Sequence, residues 1–133
     1  MIVGFDYWQV ISHYPEQIGI LKACLNIGGN ECHIISAIGK GRIGTIAKEI
    51  HSIDILKGED YWYKFDDNKI HEVVFDNPKQ SPELKLAKCK ELGIEMFFDD
   101  RDDVCRLLNA NGIMALRVTR KDNSTYDLDS ERK

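Results

Sequence analysis

The chain has 133 residues, 43% of them hydrophobic and 30% charged, and a formal net charge of −4. That length predicts one compact domain with enough apolar content to build a core without staples. The acidic balance argues against nucleic acid or an anionic membrane surface as the main partner and fits a small-molecule or cation site.

No apolar run approaches the roughly 18 residues of a membrane span, and no charged-then-apolar leader opens the chain, so a cytoplasmic location is expected. Cys24, Cys32, Cys89 and Cys105 show no C-x-x-C spacing. They read as reduced structural thiols.

The first element, Ile2-Val3-Gly4-Phe5, is a short apolar run that ends abruptly in Asp6, as a buried strand would that delivers a carboxylate to a sheet edge. A carboxylate there costs desolvation energy unless a cation, a donor or water meets it. Pro15-Glu16 opens a helix whose apolar face runs through Ile18, Leu21 and Leu25 to about Asn26, closed by Gly28-Gly29. Cys32 to Ser36 is the next strand. Ala37 to Gly41 follows as a flexible loop, and a helix is expected from Arg42 to about His51. Within that loop, Gly39-Lys40-Gly41-Arg42 could cradle an anion through backbone amides and two cations, which makes Lys40 and Arg42 candidate substrate contacts.

The segment around residues 52–71 is irregular. Tyr61 to Phe65 and Ile70 to Phe75 are separated by Asp66-Asp67-Asn68-Lys69; Glu72 to Phe75 could be a third core strand, and the aromatic run could pair with it as a hairpin or cover an edge. Ser81-Pro82-Glu83 reads as N-cap, first-turn proline and acidic first turn of a helix that closes at Gly93. Lys85 lies early in that helix, where a cation opposes the dipole, so a stability role is not expected of it. Ile94 to Phe98 is a strand that again ends in carboxylates, Asp99 and Asp100. A short helix from Val104 to Asn111, a strand from Ile113 to Val118 and a polar, charged tail over 119–133 complete the chain.

Alternating strands and helices, with strands that are continuous apolar runs, predict a three-layer α/β/α sandwich on a mostly parallel, Rossmann-like sheet spanning residues 1–118. Ligands bind such sheets beyond the carboxyl ends of the strands, where strand order reverses. If the first strand is central and the Met96 to Phe98 strand lies beside it, Asp6, Asp99 and Asp100 converge there. Carboxylates that close repel one another unless a divalent cation sits between them, and hard oxygen ligands favour magnesium.

These residues resemble the haloacid dehalogenase superfamily of phosphatase-like hydrolases. Phe5-Asp6-Tyr7-Trp8-Gln9-Val10 is similar to its first motif, Asp-x-Asp-Gly after an apolar strand. Ile34-Ile35-Ser36-Ala37 resembles the second, Lys85 the third, and Phe97-Phe98-Asp99-Asp100-Arg101 the fourth. The order matches over nearly the whole chain, in the form of a small capless phosphatase-like or nucleotidase-like member.

The resemblance implies a small phosphorylated molecule as substrate, Asp6 as nucleophile and magnesium ligand, and the Trp8 backbone carbonyl as a further ligand. It also implies Ser36 and Lys85 on the phosphoryl oxygens, and Asp99 and Asp100 on magnesium. The family's second aspartate, which carries protons, is replaced by Trp8, and its glycine by Gln9, which implies impaired turnover. The alternative that the same residues leave open is a non-catalytic magnesium- or ligand-binding regulatory protein on this fold.

Overall fold

The computed structural model describes residues 1–57 and 63–121. Five strands form one parallel sheet: β1 (Ile2–Phe5), β2 (Glu31–Gly39), β3 (Ile70–Phe75), β4 (Met96–Asp99) and β5 (Met114–Arg117), in the order β3-β2-β1-β4-β5. The helices are α1 (Pro15–Ile27), α2 (Thr45–Ile50), α3 (Asp54–Lys57), α4 (Ser81–Leu92) and α5 (Asp102–Ala110). The chain is a small α/β Rossmann-like sandwich. No helix among the described residues is long and apolar enough to cross a membrane.

Strand order follows from direction of growth. β1, β2 and β3 build outward on one side, the chain then crosses back along α4, and β4 and β5 extend the other side. The reversal falls between β1 and β4, which puts the two strands that end in aspartate side by side.

One core, on the β1–β2 side of α1, α2 and α3, contains Val3, Phe5, Ile18, Ile34, Ile46, Ile50, Leu56 and Phe65. The other, beneath α4 and α5, contains Ile35, Val73, Leu86, Cys89, Phe97, Val104 and Leu108. Alternation along β2 divides Ile34 from Ile35 between the two, as a strand covered on both faces requires.

Gly4 is set by its neighbour. It pairs with Phe97 across β1 and β4, and a Cβ at position 4 would lie 2.5 Å from a ring carbon of that fully buried phenylalanine. Cys32, Cys89 and Cys105 are free thiols that burial pushes up to about 11, 12 and 12. They are protonated and packed as small hydrophobes.

Several element boundaries move from their sequence-based positions. β2 continues through Ala37 and Ile38 to Gly39, because Ser36 to Gly39 find ladder partners in Glu72 to Phe75 of β3. The residues expected to be a loop are therefore sheet. α2 starts at Thr45 rather than Arg42: Gly44 sits at φ 91°, and a tight turn over Lys40–Arg42 precedes it. Ser81 is not a cap, since the Asn77 side chain accepts from the Lys79 amide and caps a short turn that runs into α4.

Ile70–Phe75 pairs parallel to β2 and is the third core strand, while the expected hairpin arm, the aromatic run, falls partly outside the described residues. Of that run, Tyr61 and Trp62 lie outside the described residues, while Phe65 is buried edge-on to Phe5 at 6.3 Å. The start of the polar tail is docked: the Tyr14 hydroxyl donates to the Thr119 carbonyl at 2.8 Å.

Candidate active site

Register brings the carboxylates together. Phe5 pairs with Phe98, their rings stack at 5.1 Å, and the Asp6 amide donates to the Phe98 carbonyl at 2.9 Å. The next residues of the two strands, Asp6 and Asp99, therefore leave the sheet at the same level. Asp100 follows, and one carboxylate oxygen of each of the three lies within 4.8 Å of the others. All three side chains are buried.

β2, the neighbour of β1 on its other side, supplies Ser36, whose hydroxyl donates to Asp6 Oδ1 at 3.2 Å. The Tyr7 amide donates to the same oxygen at 2.9 Å. Lys85 enters from α4, with Nζ 2.7 Å from Asp99 Oδ2 and 3.3 Å from Asp6 Oδ1. The Arg101 amide fixes the other Asp99 oxygen at 3.0 Å.

Lys85 is not the solvated helix lysine its position suggests, for it is 2% exposed and bonded to two carboxylates. Burial alone would pull its pKa down, but the charges of Asp6 and Asp99 outweigh burial and hold it above the usual lysine value. Asp6 moves well above the ordinary carboxylate range, first through burial and then through repulsion by Asp99 and Asp100, against the opposing pull of Lys85. Asp99 is raised by burial and by Asp100, again against Lys85.

The upward shifts of both partners agree once the charges are counted. Three carboxylates face the ammonium of Lys85 and the guanidinium of Arg120, which leaves one negative charge in excess across these five side chains. A divalent cation is the species that such a set of hard oxygens accommodates. Asp6, Asp99 and Asp100 could hold a metal ion between them.

Trp8 and Gln9 line a crevice of about 300 Å³ together with Asp6, Lys85, Asp100 and Arg120. The Trp8 ring meets Tyr7 edge-on at 4.9 Å and carries the Arg42 guanidinium 4.9 Å from its centroid. Arg42 thus meets the crevice lining through the Trp8 ring alone. Lys40 lies outside the crevice, in an exposed ion pair with Asp76.

Past the Gly39–Arg42 loop, the start of α2 already faces an anion, since the Glu72 carboxylate accepts from the Gly44 amide at 2.8 Å and from the Ile46 amide at 3.3 Å. Gln9 has φ 67°, a conformation that favours glycine.

Other contributors have no sequence signal. Phe75 at the end of β3, Pro78 in the turn before α4, Ser81 at the start of α4, and Arg101 line the crevice. Arg120 arrives from beyond β5 and donates through Nε to Asp100 Oδ2 at 2.9 Å.

The fold and site define a parallel α/β sandwich that gathers three buried carboxylates, a lysine and a serine at its topological switch point. No protein-family model matches this chain, and no curated protein matches it.

Proposed function

We propose that the chain is a phosphatase-type hydrolase similar to the haloacid dehalogenase superfamily, acting on a small phosphomonoester with Asp6 as nucleophile. The observation that carries this reading is the buried convergence of Asp6, Ser36, Lys85, Asp99 and Asp100 at one crevice. A carboxylate oxygen of Asp6 attacks phosphorus. The new bond is an aspartyl phosphate, and the bond to the ester oxygen breaks with its electron pair leaving on that oxygen.

Lys85 offers a fixed positive charge beside Asp6, and the Ser36 hydroxyl, which donates to Asp6, is placed to donate to a phosphoryl oxygen instead. Magnesium held by Asp6, Asp99 or Asp100 and the Trp8 carbonyl would supply further neutralisation of the phosphoryl charge.

The indole at Trp8 neither protonates the leaving oxygen nor activates water, which removes about 10²- to 10⁴-fold in rate. Release of phosphate from Asp6 is therefore the slow step. That same residue favours a second reading, a regulatory protein that holds a phosphoryl group or a phosphorylated ligand without turnover.

Incubation with an aryl phosphate and magnesium, with Asp6→Asn as the blank, tests both. Turnover above the blank, with a phosphate adduct on Asp6 by mass spectrometry, supports the hydrolase. No turnover and no adduct, with magnesium and inorganic phosphate still bound, supports the regulatory protein.

A further inference from the structure

The residues that follow β5 are strapped across the Asp99-Asp100 turn. The Val118 amide donates to the Asp99 carbonyl at 2.8 Å, and Arg117 Nε donates to the Asp100 carbonyl at 3.3 Å. Tyr14 holds the same strap from the α1 side, through the Thr119 carbonyl and through the Lys121 ammonium 5.6 Å above its ring. The strap delivers Arg120 to Asp100. Both side chains are largely buried, 14% and 3% exposed, so their 2.9 Å ion pair is poorly screened by solvent.

Lys85 pairs with Asp6 and Asp99 and its charge is also felt by Asp100, while Arg120 pairs with Asp100. Without Arg120, Asp100 would face two other carboxylates within a 4.8 Å cluster. A guanidinium and a divalent cation are both drawn to that carboxylate and repel each other, more strongly in a buried site than in water.

We infer that Arg120 is a tethered counter-ion for Asp100 which a divalent cation displaces, so that filling the cation site and docking residues 118–121 oppose each other. The inference rests on the cation-site reading of the preceding section. Linkage makes the opposition reciprocal: the strap weakens cation binding by the same factor by which the cation weakens the strap.

The test is calorimetric titration of magnesium chloride into wild type, Arg120→Gln and Tyr14→Phe, with amide hydrogen exchange of wild type with and without magnesium. Arg120→Gln is expected to bind magnesium at least about 5-fold more tightly, the low end of typical coupling. Tyr14→Phe, which loosens the strap without touching a carboxylate, shifts affinity the same way by less. Exchange at residues 118–121 rises when magnesium is added to wild type.

If wild type binds magnesium while Arg120→Gln binds it equally or more weakly, the counter-ion role is refuted and the cation site stands. Unchanged strap exchange at saturating magnesium refutes it as well, even if Arg120→Gln does not fold. Absence of magnesium binding in all the folded proteins overturns the cation site itself, and the inference with it.

Discussion

Lys85→Met removes the ammonium from between Asp6 and Asp99 while keeping a flexible side chain of similar reach. Both carboxylates are at most 5% exposed, and the ammonium lies 3.3 Å and 2.7 Å from them. Breaking a buried ion pair from one side costs about 3 to 5 kcal/mol, because the remaining charge is left without a partner. Set against a total stability of about 5 to 15 kcal/mol, that is a major loss.

The loss has a pH signature. Asp6 and Asp99 already sit above the ordinary carboxylate pKa despite Lys85, and without its opposing pull both rise further. A carboxyl whose folded pKa exceeds its unfolded value contributes stability that is fully present below the unfolded pKa and is lost as pH rises through the folded one. The deficit of Lys85→Met relative to wild type is therefore largest near neutral pH and above, and shrinks as acidification protonates Asp6 or Asp99. Urea unfolding followed by circular dichroism over about pH 5 to 8 measures this directly. A variant within about 0.5 kcal/mol of wild type at neutral pH, the range of ordinary surface substitutions, would refute the argument. A large deficit that does not vary with pH would refute its electrostatic part.

Gly4→Ala places a methyl against the buried Phe97 ring, 2.5 Å from its nearest carbon, and is expected to cost about 1 to 3 kcal/mol; denaturant midpoints check it, and an unchanged midpoint would mean that β1 and β4 separate easily. Trp8→Asp combined with Gln9→Gly supplies the missing proton carrier and puts glycine where φ is 67°. This pair should hydrolyse an aryl phosphate at least about 10²-fold faster than wild type, with a larger gain on an alkyl phosphate and none once Asp6→Asn is added. His71 lies 2.9 Å from His33, and burial together with the neighbouring His33 lowers its pKa from 6.5. Its neutral form is favoured by folding, so the stability it contributes is present above its unfolded pKa and lost as pH falls through the lower folded one. Proton NMR titration of the His71 ring reads the folded midpoint, and a value at or above that of an unfolded histidine contradicts the assignment.

The sheet was legible because burial on both faces leaves a mark at every position of a strand. Ile2 to Phe5, Cys32 to Ser36 and Met96 to Phe98 are apolar runs ending in polar residues, and parallel packing between helices requires that pattern. Asp6, Asp99 and Asp100 could be paired from the sequence alone, because strand-end position and the rule for switch points together determine which loops meet. Strand ends were less legible. The extension of β2 to Gly39 depends on partners in β3, more than thirty positions away, and no local residue preference reports a ladder made with a distant segment.

Charge placement is where the tertiary structure decided. Local pattern gives Lys85 only as a helix lysine without a stability role, drawn to the site by the resemblance alone, and Arg120 as one more charge in a polar tail. Whether a charged side chain is buried depends on which opposite charges lie across the fold. For Lys85 these come from β1 and β4, and for Arg120 from the turn after β4. Composition and periodicity record how much apolar surface each element must cover, which is a property of the element alone. The energy of a buried charge is a property of all its neighbours at once, and only the folded chain assembles them.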